Sequence, residues 1–177
     1  MLNALRKSTE RKRTAEALYA AIMARARAPE FYAAFGVADT LDGRFDMVTL
    51  HAWLALKWLN ATGRRELAQA LVDIIFVSFD ESLRDLGAGD MGLGRKMKAM
   101  ADAFYGRMSA YDAATDLAGM ETAIQRNVYR DRAGLSKQAR ALAEYVLSAR
   151  RSLDGLGPNA LANLDFGPLP PVPESLP

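Results

Sequence analysis

Across residues 64–111 the apolar side chains recur at steps of three and four, and this period constrains the fold more than any other feature. Leu67, Leu71, Ile74, Ile75, Leu83 and Leu86 keep the step through residues 74–79, whose Ile-Ile-Phe-Val-Ser-Phe run would suit a strand on propensity alone. Because the helical spacing continues through that run, a helix is expected over residues 64–86. At 1.5 Å per residue it would be about 34 Å long. Phe76, Val77 and Phe79 fill its other faces, so it reads as apolar nearly all round and is expected to be a buried central helix. Gly87, Gly89, Gly92 and Gly94 follow as a hinge, with Gly87 suited to the left-handed residue that ends a helix. The hinge is expected to be a tight loop with positive φ at several positions. A second long helix follows, with Met97, Met100, Phe104 and Met108 along one face and Arg95, Lys96, Lys98 and Arg107 as a basic flank.

The rest of the chain is read as covering this pair. Ser8 or Thr9 suits the cap of a helix running to about residue 28, with Ala15, Leu18, Ile22 and Ala26 as its buried stripe. Pro29 suits the first turn of a short helix ending before Gly36. Residues 37–46 read as a polar turn. An apolar helix is expected over about residues 45–61, stopped by Gly63. A short helix is expected over residues 121–132 and a break at Gly134. Ser136 is then expected to cap a helix over residues 137–153, with Leu142, Tyr145, Val146 and Leu153 buried. Six of the seven prolines lie beyond Gly155, which predicts an extended tail, disordered or laid along the surface. The expected fold is therefore all-α: a single-domain bundle of about six to seven helices with two long central helices. Residues 1–154 form the helical domain and residues 155–177 the Pro-rich tail.

Several chemistries lack their residues. The chain has no cysteine, which excludes disulfides, thiol catalysis and cysteine-ligated metals, and is compatible with a reducing compartment. His51 is the single histidine, so a zinc site lacks ligands. It shares a face with Met47, Val48, Leu54 and Trp58 and is expected to be a hydrogen-bonded core residue. His51 and a methionine are the axial pair that haem would use, but nothing in the spacing fixes such a pair and no C-x-x-C-H motif occurs. Residues 87–92 match G-x-G-x-x-G literally, but a charged helical turn precedes them where a nucleotide fold needs a buried strand. Asp39, Asp42, Gly43 and Asp46 lack the spacing and the final glutamate of a calcium loop. No spacing pairs a carboxylate or His51 with a nucleophile. No catalytic, metal or cofactor site is expected, and the chain reads as a binding protein rather than an enzyme.

Charge is unevenly distributed. Residues 1–27 carry seven basic against two acidic side chains, and residues 121–151 seven against three. Residues 73–90 carry five acidic against one basic. Such basic stretches form solvated faces or meet anionic lipid or ribosomal RNA. The overall charge of +2 demands no DNA partner. No apolar run is long enough to span a bilayer, and the first residues fit neither a secretory signal nor a transit peptide, which favours a bacterial cytoplasm.

A set of residues in order resembles a known family. Gln69, Asp73, Phe76, Asp80, Leu83, Arg84, Gly87, Gly89, Asp90, Gly94, Lys96, Lys98, Phe104, Tyr105, Gly106, Arg107 and Tyr111 form one block. Phe31, Tyr32, Gly36, Val37, Asp39, Thr40, Asp42, Gly43, Arg44, Phe45, Asp46 and His51 form another. Together they are similar to the ubiquinol–cytochrome c chaperone family over about residues 18–112. Ala38, Asp85 and Ala88 depart from the family pattern of proline, glutamate and valine. The resemblance implies a helical assembly factor of ubiquinol–cytochrome c reductase that binds newly made cytochrome b. It also implies action beside the ribosome with a small partner protein, in the cytoplasm or matrix, peripheral to the inner membrane. The partner-binding surface is expected at Arg44, Phe45, Arg84, Asp90, Lys96, Met97, Lys98, Met100, Phe104, Tyr105 and Arg107. Methionine suits a surface that accepts varied apolar partners, although core packing explains the same stripe. An RNA- or ribosome-binding adaptor without direct client contact is the alternative.

Overall fold

The computed structural model describes residues 2–85, 87, 89–157, 160–162 and 164–169, with backbone alone at 2–5, 90, 91 and 162. These residues form seven α-helices and no strand. In chain order they are α1 (Leu2–Ala26), α2 (Pro29–Ala33), α3 (Leu41–Ala61), α4 (Arg65–Asp85), α5 (Asp90–Ala113), α6 (Leu117–Asn127) and α7 (Ser136–Asp154), followed by a 3₁₀ turn at Ala160–Ala162.

The central helix is α3, not the helix after Arg64. Fourteen of its 21 residues are buried, and it packs against α1, α4, α5 and α7. Its sequence holds no charged side chain between Asp46 and Lys57, so every face of its middle turns avoids water. By contrast α4 buries one stripe, Leu67, Ala68, Leu71, Ile75 and Phe79, and leaves Val77 57% exposed. The all-round apolar character of residues 74–79 therefore serves two surfaces, an inner one and an accessible one. The stripe expected for α1 is found, with Ala15, Leu18, Ile22 and Ala26 buried against the core.

Helix ends moved for local reasons. α1 already runs through Ser8 and Thr9, so neither caps it. α3 starts at Leu41, inside the expected turn, because Thr40 Oγ1 accepts from the Gly43 N–H at 3.2 Å. α5 takes in Gly92 and Gly94, so among the described hinge residues only Gly87 has a positive φ, +78°. α6 starts at Leu117, four residues early, because Asp116 caps it through the Gly119 N–H at 2.8 Å. Ser136 is the first residue of α7, preceded by Leu135 at the cap position with no side-chain bond. Pro29 occupies the first turn of α2 as expected, and Gly134 has φ +83°.

Gly43 has a steric reason rather than a conformational one. A Cβ there would overlap the Ala38 carbonyl oxygen and lie 3.0 Å from its carbon. Gly43→Ala is expected to cost about 1–3 kcal/mol through overpacking, read as a lower urea midpoint at unchanged slope.

His51 is fully buried between α3 and α7. Its Nδ1 lies 2.8 Å from the Met47 carbonyl, so that nitrogen carries the proton and donates. Its Nε2, 2.8 Å from the Tyr145 hydroxyl, therefore accepts. Burial pushes the Tyr145 hydroxyl above its ordinary value, so it remains a donor. The tail closes this site. Leu164 and Phe166 are buried, and the Phe166 ring meets His51 edge-on at 5.1 Å. Arg25 of α1 donates to the Gly167 carbonyl. The segment just beyond α7 is thus part of the core rather than a surface strip, while Pro170, Pro171 and Pro173 lie outside the described residues.

Candidate functional site

α4 and α5 meet through an aromatic ladder. Phe104 of α5 packs on Phe76 at 5.4 Å and on Phe79 at 6.1 Å, and Phe79 continues to Phe45 of α3 at 5.3 Å. Phe104 has no exposed surface, so it holds the helices together and is not itself presented to a partner. A groove opens on each side of this ladder.

The larger groove, about 660 Å³, lies between α1, α3, α4 and α5. Its apolar floor is Tyr19 and Met23 of α1, Phe45 and Val48 of α3, Phe79 and Leu83 of α4, and Met100 of α5, with Leu41, 62% exposed, at the rim. Its basic members are Arg27, Arg44, Lys96, Arg107 and Arg130, against Asp42 as the single acidic lining residue among those described. Tyr19 crosses it at one wall, donating to Ser78 Oγ at 2.5 Å.

One wall is built by an ion triad around a buried carboxylate. Asp46, with no exposed surface, accepts from Arg107 Nε at 2.8 Å, and its second oxygen lies 2.9 Å from Arg130 Nη1. Burial pushes the Asp46 carboxyl above the usual carboxylate range, against the pull of Arg107 and Arg130. The Arg107 guanidinium also lies over the Phe45 ring at 5.1 Å. Arg130 is brought to Asp46 by an unusual turn. Arg130 and Asp131 have φ of 52° and 54°, a conformation that costs non-glycine residues about 1–3 kcal/mol each. The Arg130–Asp46 pair and the bond from the Asp131 N–H to the Gln125 carbonyl at 3.0 Å offset that cost.

The smaller groove, about 570 Å³, lies between α3, α4 and α5 and includes Trp53, Lys57, Val72, Tyr105, Met108 and Asp112. Asp112 accepts from Trp53 Nε1 at 3.0 Å and from Lys57 at 2.6 Å.

The eleven residues expected at a partner surface are therefore dispersed. Arg44, Phe45, Lys96, Met100 and Arg107 come together in the larger groove. Tyr105, 53% exposed and stacked on Phe76, lines the smaller one. Met97 is half-buried against the core. Lys98 pairs with Asp102 at 2.9 Å on the exposed face of α5, and Arg84 pairs with Asp80 at 2.7 Å at the end of α4. Asp90 begins α5, and its side chain lies outside the described residues. The contribution of α1 and of Arg130 was not anticipated. Arg27 and Arg130 do belong to the two basic stretches of the sequence, and that was the available signal. Among the described residues no three His, Asp or Glu side chains cluster as metal ligands.

The model of the ubiquinol–cytochrome c chaperone family matches residues 33–167, which contain every lining residue of the larger groove except Tyr19, Met23 and Arg27. The chain belongs to this family. Similarity extends to curated and solved relatives of this chaperone family. Ubiquinol-cytochrome-c reductase complex assembly factor 1 of Xenopus laevis is 24% identical over 143 residues, covering 78% of this chain and 72% of that protein. The crystal structure of the Cbp3 homolog from Brucella abortus superimposes with a TM-score of 0.80 at 38% identity, covering 93% of this chain and 94% of the other. The all-helical chaperone fold is thus shared with a solved relative over nearly its whole length. No helix among the described residues is long and apolar enough to cross a membrane.

Proposed function

We propose that this member of the chaperone family holds newly made cytochrome b during assembly of ubiquinol–cytochrome c reductase, with apolar segments of that client in the larger groove. The observation that carries this reading is the groove itself: an accessible apolar floor, most of it within the family-matched region, framed by cations from separate parts of the chain. A helical domain with an apolar groove accepts an apolar partner helix by side chains at steps of three and four. Methionines at such a surface adapt to varied partners, and Met100 lies at the edge of this floor. The role is binding rather than catalysis, exercised beside the inner membrane, where a newly inserted subunit still exposes apolar surface. A ribosome or a small partner protein would meet other faces, such as the exposed basic side chains of α1.

Site-specific photo-crosslinking tests the reading. A crosslinker at Met100 is expected to capture cytochrome b in cells making the reductase, and one at Lys98, on the solvent face, is not. Lys96→Glu is expected to leave the melting temperature nearly unchanged, because exposed charges contribute little to folding. It should nevertheless lower both the crosslink from Met100 and the level of assembled reductase. Normal assembly without any crosslink to cytochrome b from groove positions would overturn the proposal.

A further inference from the structure

We infer that the larger groove is matched to an apolar segment carrying a carboxylate, not to an uncharged apolar stretch; this rests on reading the groove as the client site. Its cations come from four places: Arg27 beyond α1, Arg44 on α3, Lys96 and Arg107 on α5, and Arg130 beyond α6. Asp46 is shared between Arg107 and Arg130, and Asp39 pairs with Arg44 at 2.8 Å. Asp42 adds one further negative charge, 3.7 Å from Arg130. Among the described residues five positive charges therefore face three negative ones, and this set stays cationic after its internal pairs are formed.

A purely apolar occupant would cover these cations with hydrocarbon and give them no anion, which is unfavourable. A glutamate or aspartate beside the apolar side chains reverses that, because charge-assisted hydrogen bonds are the strong ones. The depth of the charge distinguishes an inserted peptide from a flat anionic membrane. Arg107 is only 17% exposed, set back over Phe45, and a bilayer face reaches outer side chains such as Arg44 but not this one. The floor of Phe45, Val48, Phe79 and Met100 gives a nucleic-acid backbone nothing to bury against.

The test uses three fluorescent helical peptides with the same leucine face and Glu, Gln or Lys at two flanking positions, titrated with the full chain. The Glu peptide is expected to bind about tenfold more tightly than the Gln peptide, and the Lys peptide weakest. The Glu–Gln difference should collapse near 1 M salt, where the screening length is about 3 Å. Arg27→Glu with Lys96→Glu, two exposed sites, should invert the order while the melting temperature holds. Equal binding of Glu and Gln peptides overturns the inference. So does binding to phosphatidylglycerol vesicles in preference to the Glu peptide, abolished by the same two substitutions. If groove positions crosslink to cytochrome b yet Glu and Gln peptides bind alike, the carboxylate inference falls and the client reading stands. If the Glu preference holds without any such crosslink, cytochrome b falls as the occupant and the acidic partner remains.

Discussion

Between pH 6.5 and pH 4 the protein is expected to lose about 3 kcal/mol of stability through His51 alone. Burial lowers the pKa of His51 from 6.5 to about 4, with the hydrogen bond to Met47 opposing and Arg25 adding to the decrease. In the folded chain the ring is neutral: Nδ1 donates to a carbonyl and Nε2 accepts from Tyr145, so a second ring proton has no acceptor. In the unfolded chain the same ring takes up a proton near 6.5. The unfolded state therefore binds more protons within this window, and stability falls as pH falls through it. Above 6.5 both states are neutral and the contribution to the slope vanishes. Asp46 acts in the opposite sense at the acid end, because its folded pKa is raised and the folded state takes up its proton first. Urea unfolding at a series of pH values measures the sum. His51→Gln is expected to be less stable at pH 7 and to lose most of the slope between 6.5 and 4. A wild-type curve that is flat across that window would refute the neutral, doubly bonded histidine.

The helical period made most of the fold legible. It identified the buried stripes of α1 and α7 and the core position of His51, because one face of a 3.6-residue repeat either meets the core or does not. It did not rank the helices by depth. Residues 74–79 looked central because they are apolar, yet Val77 faces solvent and Phe76 stacks on the exposed Tyr105. The better clue was the uncharged run in α3, which leaves no face for water. The same limit applied to the candidate site. Met100, Phe104 and Met108 share a helical stripe, but each step of four residues overshoots a full turn by about 40°. With Phe104 aimed at the Phe76–Phe79 ladder, Met100 falls toward the larger groove and Met108 toward the smaller. Periodicity finds such a face and leaves open which member is core and which is rim. Charge pairing across the fold was less legible still. Asp46 is 61 residues from Arg107 in the chain, and no local spacing links them. Nor did the proline content reveal Leu164 and Phe166 as core residues, because an extended segment carries its apolar side chains without a helical period.

Arg107→Met is expected to cost about 3–5 kcal/mol, more than any other single change at the groove, since it strips a buried carboxylate of its principal partner. Asp46 has no exposed surface, and Arg107 supplies both its directed Nε bond and an Nη2 contact at 2.8 Å. Arg130, 43% exposed, approaches only the other oxygen and cannot replace that geometry. The residual carboxylate would then be largely uncompensated in an apolar site. Removing it as well should restore stability, because hydrophobic replacement of a buried pair is often neutral. Asp46→Leu combined with Arg107→Met should therefore unfold at a higher urea concentration than Arg107→Met alone, with a coupling well outside additivity. Additive losses would mean that the pair does not interact and that the wall of the groove is held by packing alone. The result also governs how function at this groove is measured. A loss of reductase assembly in Arg107→Met would reflect a missing wall and not a missing client contact. Lys96, exposed on the same lining, separates the two effects, because its charge can be reversed without disturbing the triad.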